Sequence, residues 1–321
     1  MRSSVLFLVF NRPDTTALVF DAIRAARPPR LYIAADGPRI DRHDEPFQCE
    51  QVRRIATAIE WPCECHMLFR DRNLGCKIGV SEAINWFFAN EEEGIILEDD
   101  VVPLPGFFPY CDELLERYRM DHRLAMISGT NSISHRFTSS ASYYFSRHVQ
   151  IWGWATWRRA WARYDVTMQA WPAWKEQRGL QSLAHGRVFE YYWRDRFDRT
   201  FNGEIDTWDY QWTFACWYHD MLAAVPACNQ TLNVGFRQDA THTNTNIPLY
   251  VQRSIPQPLR FPLLHPTHIE VTPEADLLVN TEVLGLTVIS EVLRRLGEIP
   301  VLGQMVRRLK SGFSYISART K

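Results

Sequence analysis

The sequence predicts an α/β fold with a central, mainly parallel, doubly wound sheet flanked by helices. Three observations carry that expectation. Short apolar runs rich in β-branched residues alternate with amphipathic stretches through the first hundred residues. Each run ends in polar or turn-forming residues. The strand–helix alternation gathers those polar ends at one edge of the sheet, where such folds bind ligands.

Taken in order, residues 5–10 form the first strand, closed by Asn11-Arg12-Pro13-Asp14. Asp14 or Thr15 would cap the following helix, whose apolar face is Leu18, Val19, Ile23 and Ala26, and Pro28-Pro29 stops it. Residues 31–35 form a second strand ending at Asp36-Gly37-Pro38. A polar helix then runs to about Trp61-Pro62. Residues 65–69 are the third strand, followed by Arg70-Asp71-Arg72-Asn73-Leu74-Gly75. Residues 78–88 read as a helix, 91–94 as a loop, and Ile95-Ile96-Leu97 as a fourth strand running into Glu98-Asp99-Asp100. Beyond it, residues 124–128 and 143–151 read as strands, 158–164 and 208–219 as helices, and 233–246 as loop. From about Val279 the chain turns apolar and then basic, with Arg294, Arg295, Arg307, Arg308 and Lys310. That segment is expected to be partly helical, either packing back on the domain or lying on an anionic membrane surface.

The 321 residues carry a formal net charge of −1, so no global field draws the protein to nucleic acid. Seven cysteines, an odd number without metal-type spacing, read as free thiols of a cytoplasmic protein. The apolar run at the N-terminus is too short for a membrane span.

The acids raise the chemical question. Three adjacent carboxylates repel one another, yet they stand between apolar residues, Ile95-Ile96-Leu97 before and Val101-Val102 after. A solvated turn needs no such flanks. Carboxylates at the exit of a buried strand suit a hard divalent cation, Mn²⁺ or Mg²⁺, with substrate phosphates completing its shell. Arg12 and Lys77 would pair with phosphate oxygens, and Asp36 would accept hydrogen bonds from a base or ribose. Asn73 ends the third strand at the same edge. The ordinary alternatives are a surface charge for each base and a turn-capping role for Asp36.

FNRPDTT, the strand ending in AADGP, DRNLGCKIGV and ILEDDVVPLPGFF together resemble the GT-A glycosyltransferases. Within them they look most like the N-acetylglucosaminyltransferase I branch, which carries EDD in place of DxD. The resemblance covers residues 5 to about 245. It implies a Rossmann-like GT-A sheet and a nucleotide-diphosphate sugar, with uridine as the base. Asp100 would ligate the metal, Glu98 and Asp99 would contact the donor sugar and ribose, Asp36 the base, Arg12 the nucleotide, and Lys77 the diphosphate. It divides the chain into a nucleotide-sugar half (1–135), an acceptor half (136–250) and a C-terminal extension (251–321).

Ten of the 12 tryptophans fall between Trp152 and Trp217. Trp154, Trp157 and Trp161 are at helical spacing, which reads as a core stripe. Trp152, Gly153, Trp154 and Trp208 are candidates for a sugar pocket, because flat rings suit sugar faces and glycine allows close approach. Asp209 lies between Trp208 and Tyr210, a poorly solvated setting that suits a general base. In the related enzymes a Trp-Asp step downstream of a Gly-Trp segment carries the base, and GWATW followed by WDYQW keeps that order. Glu204 and Asp206 compete for the role. His242 is a further candidate metal ligand.

The expected activity is therefore an inverting transfer from a UDP-sugar to a glycan or glycolipid. A metal-dependent sugar-phosphate nucleotidyltransferase and a non-catalytic carbohydrate-binding protein are the alternatives.

Overall fold

The computed structural model describes residues 1–236 and 247–287. The first half alternates strictly: β1 (Ser4–Val9), α1 (Pro13–Ala26), β2 (Arg30–Ala35), α2 (Glu45–Ala56), β3 (Glu64–Phe69), α3 (Gly75–Asn90) and β4 (Glu93–Glu98). A short β5 (Val101–Pro103) and α4 (Phe107–Arg117) lead to β6 (Leu124–Ser128), β7 (Tyr143–Ser146) and β8 (Trp154–Trp157). Four helices follow, α5 (Arg158–Trp161), α6 (Trp171–Glu176), α7 (Gly179–Ser182) and α8 (Arg187–Phe201), then α9 (Asp209–Tyr218). β9 (Leu222–Pro226), β10 (Thr231–Asn233), α10 (Leu249–Arg253) and α11 (Pro273–Leu278), continued by a π-helical turn over Val279–Val283, complete the described chain.

The architecture is α/β. Eight strands lie in the order β3-β2-β1-β4-β8-β6-β9-β7, and β5 pairs separately with β10. β1 to β4 are parallel; β8 runs antiparallel between β4 and β6, and β7 antiparallel along the edge of β9. All six residues of β1 are buried, which accounts for its unbroken apolar run: helices cover both faces of the sheet. After β1 the chain steps outward to β2 and β3, then returns to β4 on the other side of β1. That reversal opens a crevice at the carboxyl ends of β1 and β4.

Several local expectations are corrected. Neither Asp14 nor Thr15 caps α1. Pro13, which lacks an N–H to satisfy, takes the first turn, and the Thr16 hydroxyl donates back to the Arg12 carbonyl at 2.6 Å. Residues 93–94 begin β4 instead of ending a loop, because Glu93 and Gly94 pair with Trp157 and Thr156. Trp154 and Trp157 lie in a strand, so their helical spacing was a coincidence of position. Both are nonetheless core, since the strand is buried on both faces.

The strand expected over 143–151 stops at Ser146. The reason is Asp276 of α11, fully buried, which accepts from the Ser146 hydroxyl at 2.5 Å and the Arg147 N–H at 3.3 Å. With Val271 bridging to Phe145, this returning segment covers the β7 edge. No helix among the described residues is long and apolar enough to cross a membrane. The basic residues proposed for membrane contact lie outside the described residues, as does His242.

Candidate active site

β1 and β4 end side by side, with Leu8 opposite Glu98. The loop after β1 therefore delivers Arg12 onto the acids that follow β4. Its guanidinium donates to Asp99 Oδ1 at 2.5 Å and to Asp100 Oδ2 at 2.9 Å. The other Asp99 oxygen accepts the Phe10 N–H at 3.2 Å. This is how the fold tolerates the acidic run: one arginine bridges two carboxylates, and a backbone donor takes up the remaining charge. Burial opposes the Arg12 charge, but Asp99 and Asp100 more than offset it and hold Arg12 above its ordinary range. Burial pushes Asp99 up to about 6, with Arg12 pulling it back.

Glu98 has a different environment. Its Oε1 is buried with no hydrogen-bond partner among the described residues. Burial, then the charges of Asp100 and Asp99, push it up to about 8. An orphaned acidic oxygen beside two carboxylates is a place where a cation or a donor group would be favoured.

β2 and β3 supply the next part of the wall. Asp36 accepts from the N–H groups of Gly37 (2.9 Å) and Leu74 (3.0 Å), and from Asn73 Nδ2 at 3.0 Å. Asn73 also donates to the Gly37 carbonyl. The pair thus locks the loops after β2 and β3 together, with Asp36 at the N-terminus of α3. Burial raises Asp36 while those backbone donors pull it back. α3 turns Cys76, Gly79, Val80 and Ala83 toward the crevice. Lys77, one residue on from Cys76, falls outside that stripe and does not line it.

Together these strand ends enclose a cavity of about 460 Å³, within the range of small-ligand sites. The second half of the chain closes it with Ile151, Trp152, Thr207, Trp208 and Asp209. Asp209 opens α9, and its Oδ1 is held by the Thr207 hydroxyl and by the Tyr210 N–H at 3.0 Å. Its charge acts on Glu98, so the two carboxylates face a common space. Asp206 lines the same cavity; Glu204 does not.

Of the sugar-pocket candidates, Trp152 and Trp208 line the cavity, whereas Gly153 and Trp154 do not. Trp154 is fully buried and stacks on Trp208 with centroids 5.7 Å apart. Gly153 is needed for the protein's own packing. Its φ is +69°, and a Cβ there would stand 2.9 Å from Thr231 Cγ2.

The cavity also holds groups that the motifs did not single out. Arg39 and Arg70 line it, each ion-paired at its outer side, to Glu45 and to Glu82. The available signal was position, since Arg70 is the first residue after β3. Gly235 is another. A Cβ at this residue would lie 2.0 Å from Asp100 Oδ2, so a larger residue there would push the Asp100 carboxylate from its place. The lining carries three arginines against six carboxylates, an imbalance that a bound cation would relieve.

Among the described residues no group of three or more His, Cys, Asp or Glu side chains is arranged as a complete metal site. Glu98 and Asp100 fit the other arrangement, in which few protein ligands hold a hard cation and substrate oxygens complete its shell. The unpartnered Glu98 oxygen is the specific support for that fit.

No protein-family model matches the chain, and no curated protein does. Among solved structures it is similar to HddC from Yersinia pseudotuberculosis, at a TM-score of 0.31 and 8% identity, over 49% of this chain and 77% of that one. HddC complexed with GMP-PN gives a TM-score of 0.30 at 8% identity, over 49% and 77% of the two chains. UDP-glucose pyrophosphorylase complexed with UDP-glucose gives 0.25 at 10% identity, over 46% and 62%. A likeness of this size covers less than half of the chain and says nothing about its chemistry.

Proposed function

We propose that the chain is a metal-dependent inverting glycosyltransferase, moving a sugar from a nucleotide-diphosphate donor, preferentially a UDP-sugar, to a glycan or glycolipid hydroxyl. The observation that carries this reading is the convergence of four strand ends on one cavity: Arg12, Asp36, Asn73 and the Glu98–Asp100 acids, met by Asp209 from α9. A GT-A assignment, with residues 1–135 binding the donor and 136–250 the acceptor, accommodates that arrangement.

On this reading Glu98 and Asp100 would hold Mn²⁺ or Mg²⁺, which when bound supplies positive charge against the leaving diphosphate. Arg12 contributes its own charge from the same spot. Asp99 lines the cavity beside them and is held in place by Arg12 and the Phe10 N–H, from where it would contact the donor. Asp36 and Asn73 shape the base side of the cavity. Asp209, its carboxylate oriented by Thr207 and the Tyr210 N–H, takes the proton of the acceptor hydroxyl. The hydroxyl oxygen forms its bond to the anomeric carbon from the face opposite the diphosphate. The bond to the diphosphate oxygen breaks with its electron pair, and configuration inverts in a single displacement.

A nucleotidyltransferase would want a glycine-rich phosphate loop after β1. This chain has Asn11-Arg12-Pro13 there, with Arg12 turned onto the acids.

Calorimetric titration with a panel of nucleotide-diphosphate sugars, with and without Mn²⁺, tests the proposal. Metal-dependent binding of one UDP-sugar, lost in Asp100→Ala, is expected. Asp209→Asn should keep that binding and lose turnover by about 10²–10⁴-fold. Wild-type turnover in Asp209→Asn would remove the assigned base. Pyrophosphate release from a nucleoside triphosphate and a sugar phosphate would replace the reading with nucleotidyl transfer.

A further inference from the structure

Beside the large cavity lies a second pocket of about 100 Å³, well above the ~10–15 Å³ that one water occupies. Its polar lining is Ser132, His148, Gln150, Trp193 and Thr213, over an apolar floor. None of the lining residues is Lys, Arg, Asp or Glu. Three of the polar side chains keep a nitrogen without a partner among the described residues: His148 Nε2, Gln150 Nε2 and Trp193 Nε1. His148 is 4% and Trp193 5% exposed, so each is a desolvated polar group awaiting a partner.

The donors are firmly assigned. The Ser132 N–H and hydroxyl both donate to Gln150 Oε1, at 2.9 and 2.5 Å, which fixes the amide orientation and leaves its NH₂ as the unpartnered end. An indole N–H can only donate. Burial pushes the His148 imidazole down to about 3, so it brings no charge near neutral pH. A lining of neutral donors suits a ligand rich in acceptor oxygens and supplies no cation to neutralise a charged one.

The pocket has no lining residue in common with the large cavity but adjoins it along two segments of the chain. Gln150 lines the small one and its neighbours Ile151 and Trp152 line the large one. On α9, Asp209 lines the large cavity while Thr213, one turn further on, lines the small one and donates to the Asp209 carbonyl at 3.0 Å. One helical turn is about 5.4 Å, comparable with one sugar ring.

We infer that this second pocket binds a neutral sugar residue of the acceptor, its hydroxyls accepting from the Trp193 indole and the Gln150 amide, beside the Asp209 base. The inference rests on the reading of the large cavity as the donor site, but its test is separate.

Uniformly ¹⁵N-labelled full-length protein gives indole N–H resonances, and the one lost in Trp193→Phe belongs to Trp193. That resonance is followed during titration with the methyl glycosides of glucose, galactose, mannose and N-acetylglucosamine, and separately with UDP and Mg²⁺. A saturable shift with at least one glycoside is expected, with affinity reduced about tenfold in Gln150→Glu, which keeps the oxygen that Ser132 needs. Trp193→Phe, read by calorimetry with the same glycoside, should weaken binding similarly and serves if Gln150→Glu does not fold. No shift with any glycoside would overturn the inference and leave a water-filled cavity. So would glycoside binding unaffected by either substitution. Glycoside binding without nucleotide binding would support the pocket and remove the donor reading; the reverse would remove the pocket alone.

Discussion

The two halves of the sheet carry their polar and aromatic residues in opposite ways. In the parallel half, β1, β2 and β4 are buried, β3 is the half-exposed edge, and the chemistry stands at the strand ends. Arg12, Asp36, Asn73 and the three acids each stand at a strand's end or within four residues of it, and all of them line one cavity. In the half around β8 and α9 the conspicuous residues are tryptophans, and eight of the ten between Trp152 and Trp217 are buried. Trp154, Trp208 and Trp212 pack with Trp161 into one aromatic cluster, and only Trp152 and Trp208 reach the large cavity. A residue's place relative to a strand end therefore indicated which residues line the cavity better than its chemical type did.

Truncating the two neighbouring tryptophans tests that contrast most strongly. Trp154→Ala should cost about 3–5 kcal/mol of stability, measured as a lowered urea midpoint at unchanged slope. Trp152→Ala, half-buried at the cavity wall, should lose clearly less stability and weaken sugar-donor binding about tenfold. If Trp154→Ala instead remained stable and lost binding, the division between core and wall would be wrong.

Arg12 gives the next effect. Arg12→Ala leaves Asp99, 5% exposed at its side chain, without its bridging partner. A loss of about 3 kcal/mol is expected from the uncompensated buried charge. The double variant Arg12→Ala/Asp99→Asn should recover part of it, because the charge leaves with its partner. Equal instability of single and double variants would mean that Arg12 supports the fold through packing alone.

Much of the parallel half was legible because its physics is local. A buried strand announces itself by composition, and the residue after it is placed by the strand's end. β2 was expected over residues 31–35 and spans Arg30–Ala35. What was not legible depends on partners distant in sequence. That Arg12 would face the acids instead of solvent requires β1 and β4 to be neighbours. That β7 would stop at Ser146 depends on Asp276, 130 residues away. Gly235 and the second pocket have no local signature at all. Gly235 is fixed by the carboxylate beneath it, and the pocket's donors come from Gln150 and from Trp193 on α8. Trp154 and Trp157 misled on secondary structure because three tryptophans at intervals of three and four satisfy a helix, although β8 begins and ends inside that spacing.

The smallest effect concerns His148, which sits between the aromatic half and the segment that returns along β7. It packs against His185, Phe189 and Trp217, with Asp276 and Asn280 on the facing segment. Burial first, then the neighbouring His185, lowers its imidazole from 6.5 to about 3. The sign follows from the depressed value. Below pH 6.5 the unfolded chain binds a proton at this histidine while the folded chain does not, so stability falls as pH falls between about 6.5 and 3. Each pH unit in that window costs at most about 1.4 kcal/mol, or about 2 kcal/mol by pH 5. Urea unfolding of the parent and of His148→Gln at pH 7 and pH 5 should show the variant losing less stability by about that amount. Parallel losses in the two proteins would mean that the imidazole gains a proton in the folded state. The orphaned Nε2 would then be a hydrogen-bond donor in the acidic range, and the second pocket would carry a charge that its lining at neutral pH does not have.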